Sequence, residues 1–325
     1  MQGLLRGLVY GGLIITVLMT ATAWGMWLER KLAARMQSRI GPNVVGKFGL
    51  LQPVADLMKL LQKEEIYPIG ADRLLFDLAP FLVTTFAIAT AAVVPFSAEA
   101  VGADLDVGLL WVLALGGLMV IPVWMAGWAS NNKFALIGGM RAVAQSISYG
   151  VPLVLTSLVA VVFTGTMSLS GIVKFQIEHG WLALWPPGPG VVAFVLFYMA
   201  LLAESNRIPF DIPEAESELV AGITTEYTGM KFGLLYVGEY VHTMVGSAIA
   251  AVIFLGGWDG PFHIASGLHW MVIKTVALFA SVYWVRWSLL RFRSDQLMRL
   301  CWLYLVPVSL GLVVFAALWR HFVLR

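Results

Sequence analysis

Charge is scarce in this chain. Of its 325 residues only 12% are Asp, Glu, Lys or Arg, while 59% are hydrophobic. A water-soluble domain cannot hide that much apolar surface, which places the chain among integral membrane proteins. Cysteine is nearly absent. The single Cys301 excludes an internal disulfide, and one thiol cannot hold an iron–sulfur cluster. A net charge of +2 offers no basic excess for a nucleic-acid partner. There is no phosphate-binding loop, no dinucleotide glycine fingerprint and no nucleophile–base set, so the chain is not expected to catalyse a reaction alone. Aromatics, by contrast, are plentiful: 13 Trp and 9 Tyr suit belts at the two membrane interfaces.

A helix needs roughly 20 apolar residues to cross the hydrocarbon core. Eight such spans are predicted, at 4–28, 74–96, 107–128, 146–165, 189–206, 233–257, 269–287 and 300–319. The expected fold is therefore an all-α integral membrane protein, with residues 1–325 forming one polytopic domain. The first run also resembles a signal peptide, with Arg6 before it and Ala21-Thr22-Ala23 as a cleavage site, but it stays apolar to Leu28 and reads as an uncleaved helix. With both termini periplasmic, the cytoplasmic loops (about 29–73, 129–145, 207–232 and 288–299) and adjoining span ends carry 16 of the 21 Lys and Arg. The other five are Arg6, Lys174, Lys274, Arg320 and Arg325, so the positive-inside rule is met. Within the first loop, Leu50, Val54, Leu57, Met58 and Leu61 fall on one helical face. That pattern predicts an amphipathic helix lying in the interface plane, or one packed on a neighbouring subunit.

Three polar clusters stand beside or inside the spans, where uncompensated charge is costly. The first, Glu29-Arg-Lys31 to Gly41-Pro-Asn43, reads either as a solvated basic loop or as a desolvated Glu29–Arg30 helix end folded back by a tight turn. The second runs from Glu204 to Glu226 with six carboxylates. In it Pro209 and Pro213 forbid a continuous helix, and Glu214 and Glu218 are expected on one face with Glu216 elsewhere. Like charges held close raise one another's proton affinity. The third is Glu239, about 9 Å inside its span when counted from Gly233. Glu239-Tyr-Val-His242 also matches the Glu-x-x-His of di-iron bundles, but such sites need two copies and there is one, so no metal is expected. Lys274 is expected to snorkel, and Arg286, Arg291, Arg293 and Arg299 to anchor orientation.

Several ordered motifs give these clusters a context. They are Glu29-Arg-Lys31 with Arg39-Ile-Gly-Pro-Asn43; Leu51-Gln-Pro-Val-Ala-Asp56; Gly127-Trp-Ala-Ser-Asn131 with Arg141-Ala-Val-Ala-Gln145; Ala203-Glu-Ser-Asn-Arg207 with Pro209-Phe-Asp211; Glu216-Ser-Glu-Leu-Val220; and Arg291-Phe-Arg293. Through them nearly the whole chain resembles the H-subunit family of bacterial NADH:quinone oxidoreductase, respiratory complex I. The resemblance implies a cell inner-membrane component of a proton-translocating enzyme, inactive alone, beside other membrane-arm and peripheral-arm subunits. Quinone would be the substrate, and FMN and iron–sulfur clusters would sit in the partners. It assigns Glu29, Arg30, Arg39, Asp56, Arg207, Asp211 and Arg286 to a quinone tunnel, and Glu204, Glu214, Glu216, Glu218 and Glu239 to a proton or charge relay.

Departures from the family pattern are Ala215 after Glu214, Leu290 before Arg291, and above all Gly150, where the family usually carries a glutamate. Either water takes over at Gly150, near Ser148 and Tyr149, or the coupling of this complex differs. Two further readings stay open: the related membrane component of an energy-converting hydrogenase, and a stand-alone transporter. The second lacks the paired interrupted spans that transporters show.

Overall fold

The computed structural model describes residues 2–261 and 266–323; for 2–10, 216 and 217 it describes the backbone. Arg325 and the side chains of Arg6 and Glu216 therefore lie outside the described residues. Apolar runs become helices throughout, and no β-strand occurs among the described residues. In order they are α1 Gln2–Met36, α2 Gln52–Gln62, α3 Arg73–Ala91, α4 Gly108–Leu118, α5 Val120–Ala129, α6 Lys133–Thr164, α7 Leu169–His179, α8 Pro189–Glu204, α9 Glu216–Leu219, α10 Gly229–Phe254, α11 Leu268–Ser288, α12 Ser294–Leu300 and α13 Val306–Val323. Among the described residues seven stretches are long and apolar enough to cross a membrane, with α4 and α5 counting as one span and α12 to α13 as another. This is an all-α, multi-pass architecture.

The structure corrects the sequence-based outline in several places. The span expected at 189–206 is α8, only 16 residues long. It rises about 24 Å, short of the roughly 30 Å hydrocarbon core. The loop expected at 129–145 shrinks to a turn, because Asn132 caps a continuous α6 by accepting from Phe134 N at 2.8 Å. Helix α1 runs on to Met36, and α10 begins at Gly229, before the expected Gly233. The amphipathic helix forms as α2, with Val54, Leu57, Met58 and Leu61 exposed along it and Leu50 exposed just before it.

The pillar of the bundle is α10, buried over most of its length against α1, α3, α8 and α11. Its glycines permit that closeness: a side chain at Gly238 would strike Val83 of α3, and one at Gly246 would strike Leu201 of α8. Proline is tolerated where something else completes the ladder. Pro80 in α3 has no N–H for the Phe76 carbonyl, and the Tyr227 hydroxyl donates to that oxygen instead at 3.1 Å. Lys274 does not snorkel. Its buried Nζ donates to the carbonyls of Leu255 at 2.5 Å, Gly257 at 3.0 Å and Asp259 at 2.5 Å, closing the C-terminal end of α10.

Candidate functional site

Because α8 stops early, the chain turns inward after Glu204. Residues 205–215 run as irregular backbone with Ser205, Arg207, Phe210, Asp211, Ile212 and Ala215 buried. Such backbone is admissible at membrane depth only when protein covers it. Gln145 of α6 supplies part of the cover, donating to the Ala203 carbonyl at 2.7 Å and to Asn206 Oδ1 at 3.1 Å. Arg291 holds the other end through Asp211 Oδ2 at 3.0 Å. Phe292 N–H donates to the Pro209 carbonyl, and the Phe292 ring stacks on Phe210. Arg286 and Arg291, expected to anchor orientation, are thus each engaged with a buried carboxylate.

Two charged centres meet beneath this loop. In one, Glu29 of α1 is 5% exposed and accepts from Arg286 Nη1 at 2.6 Å and from the Tyr240 hydroxyl. The expected Glu29–Arg30 partnership is absent. Arg30 points away to Asp56 Oδ2 at 2.5 Å, because the two residues are consecutive on a helix that continues past them. In the other, the Arg207 guanidinium lies 4.5 Å over the Tyr240 ring, and its Nη2 stands 3.6 Å from Glu239 Oε2. With α10 starting at Gly229, Glu239 is about 15 Å along the helix, deeper than expected. Burial raises the proton affinity of Glu214, and the charges of Glu239 and Asp211 raise it further. Asp211 is also raised by burial, against the pull of Arg291.

One helical turn beyond Glu239, His242 Nε2 faces Glu204 Oε1 at 3.4 Å. Beside this pair lies an inner cavity lined by Ser146, Tyr149, Asn206, Glu204, Glu239 and His242, of about 40 Å³. That holds roughly three water molecules. Several buried polar atoms here have no hydrogen-bond partner, among them Arg207 Nε and Nη2, Glu214 Oε1 and His242 Nδ1. Water suits them. An outer recess of about 420 Å³ adjoins the cavity and shares Gly116, Ser146, Tyr149 and Glu204 with it. Gly150 lines that recess with open space around it.

Of the expected tunnel residues, Glu29, Arg207, Asp211 and Arg286 converge, and Arg30 and Asp56 form a more exposed pair beside them. Arg39 stays apart, exposed, donating to Gln37 at 2.7 Å. Of the relay residues, Glu204, Glu214 and Glu239 converge. Glu218 instead meets Arg141, half exposed, and does not share a face with Glu214 because the backbone at Ala215 is not helical. Glu216 has only its backbone described. Sequence reasoning missed Tyr240, Tyr283 and the pairing role of His242; the intramembrane run Glu239–His242 was the available signal.

The chain matches the family model described as NADH dehydrogenase over residues 10–317. It belongs to the NADH dehydrogenase family. Relatives include the NADH-quinone oxidoreductase H subunit of Dehalococcoides mccartyi strain CBDB1, 44% identical across 95% of this chain and 84% of the relative. A second such relative, the H-subunit 2 of Geobacter sulfurreducens, is 47% identical across 92% and 91%. That of Rhodospirillum rubrum is 45% identical across 94% and 90%.

Proposed function

We propose that this chain is the membrane-arm subunit of a proton-translocating NADH–quinone oxidoreductase that forms much of the quinone tunnel and begins the proton relay. The observation that carries this reading is the row of charged and polar groups from Glu29 and Arg286, through Tyr240 and Arg207, to Glu239, and across the inner cavity to His242 and Glu204. Quinone reduction takes up two protons and changes the charge at the headgroup. Arg286 and Glu29 would respond to that change, and the buried acids beyond them would pass it on. FMN and iron–sulfur clusters would belong to partner subunits, and the membrane would be a cell inner membrane with both termini periplasmic.

The test is proton translocation per NADH in vesicles holding the assembled complex, wild type beside Glu239→Gln. The variant should lose translocation by at least about tenfold, since it removes a proton carrier, while NADH-driven quinone reduction persists at a lower rate. Translocation unchanged in Glu239→Gln would refute the relay.

A further inference from the structure

We propose that Tyr240 is a positioning residue that makes the proton affinity of Glu239 depend on the charge of Glu29, by holding Arg207 between them. This inference rests on the relay proposed above.

Tyr240 touches both charged centres with different parts of one side chain. Its hydroxyl donates to Glu29 Oε2, and its ring face carries the Arg207 guanidinium at 4.5 Å. Arg207 is not committed to Glu239. A separation of 3.6 Å exceeds a direct hydrogen bond, and Nε and Nη2 of Arg207 have no hydrogen-bond partner. A phenol that donates to a carboxylate gains electron density in its ring, and the attraction of a cation for the ring face grows with that density.

The sign follows. With Glu29 ionised, the Tyr240 ring draws Arg207 and weakens its support of the Glu239 carboxylate, which then holds a proton more readily. When Glu29 takes a proton, the ring loses that density, Arg207 shifts toward Glu239, and Glu239 gives its proton up. One uptake on the quinone side thus drives one release on the relay side, with no proton passing through the phenol itself.

The other charged or titratable neighbours are Arg286 and Tyr283 from α11, Asp211 and Glu214 from the inward loop, Tyr236 and His242 on α10, and Glu204 of α8 across the inner cavity. Arg286 binds the second oxygen of Glu29 and so fixes that carboxylate while its charge changes. Tyr283 stacks on Tyr240 at 6.1 Å and restrains the ring. Neither bridges Glu29 to Arg207 by contact as Tyr240 does.

The test uses the assembled complex in vesicles carrying Tyr240→Phe, Tyr240→Leu or Glu239→Gln. Tyr240→Phe keeps the ring and its packing and removes the link to Glu29, leaving Arg207 free to favour Glu239. The acidic limb of the pH profile of proton translocation should move about one pH unit toward acid, the size of one charge-assisted hydrogen bond. Protons moved per NADH should fall at least twofold, with kcat for quinone reduction reduced and its KM held. Tyr240→Leu should do the same or more; where that variant fails to assemble, Tyr240→Phe decides. A wild-type pH profile and proton ratio in Tyr240→Phe overturn the role of Tyr240. Normal translocation in Glu239→Gln overturns the relay itself, so the two failures are told apart.

Discussion

At Gly150 the wall of the outer recess is bare, with nothing beyond the adjoining chain and the helix's own backbone within 4 Å of where a side chain would begin. Glu204, which lines both the recess and the inner cavity, is therefore separated from the outer face of α6 by open space. Water can stand there because Ser146, Tyr149 and Glu204 offer polar partners. A carboxylate has room, so Gly150→Glu should assemble normally and translocate at least as well as wild type. Gly150→Leu should also assemble, yet fill the recess with apolar atoms and lower protons per NADH severalfold at an unchanged quinone-reduction rate. Vesicle acidification measured beside NADH oxidation checks both. Neither outcome was readable from the residue itself, since a glycine in a helix reports nothing about the space beside it.

Helix ends decide the site more than helix interiors do. The early stop of α8 turns Glu204 and the following loop inward, and Arg291 with Phe292, just before α12, ties that loop down. At the opposite end of α10, one lysine satisfies three carbonyls. Removing it leaves buried acceptors without a donor, each worth about 1–3 kcal/mol. Because the variant also no longer buries a charge, which offsets part of that loss, Lys274→Met should cost about 2–4 kcal/mol of stability. A lowered thermal midpoint of the detergent-solubilised complex would register it; an unchanged midpoint would mean that water replaces the ammonium. Sequence reasoning placed most of these elements, because long apolar runs announce themselves. It missed the shortness of α8 and the early starts of α6 and α10, since polar residues such as Arg141 and Lys231 are accommodated inside helices once partners stand opposite them.

Across the molecule, acids kept in a buried loop tie stability to pH. Burial raises the proton affinity of Glu214 above its ordinary 4.5. Its stabilising contribution is thus complete below that value and is lost as pH rises through the higher folded-state value. Glu214→Gln should be more stable than wild type at neutral pH, with the difference vanishing below about pH 4.5. Thermal melts of both proteins across pH 4–8 test the sign: a variant less stable at pH 7 would show that the ionised carboxylate is well solvated. The sequence determined that this protein spans a membrane as helices and that acids stand beside and inside those spans, because apolar length and local charge are properties of the chain alone. It also held the identity of most site residues, Glu29, Arg207 and Glu239 among them. Which carboxylate meets which arginine was decided by tertiary structure alone. Glu29 and Arg286 lie 257 positions apart, Tyr240 and Glu29 lie 211 apart, and only the packing of α1 and α11 against α10 brings them within a hydrogen bond.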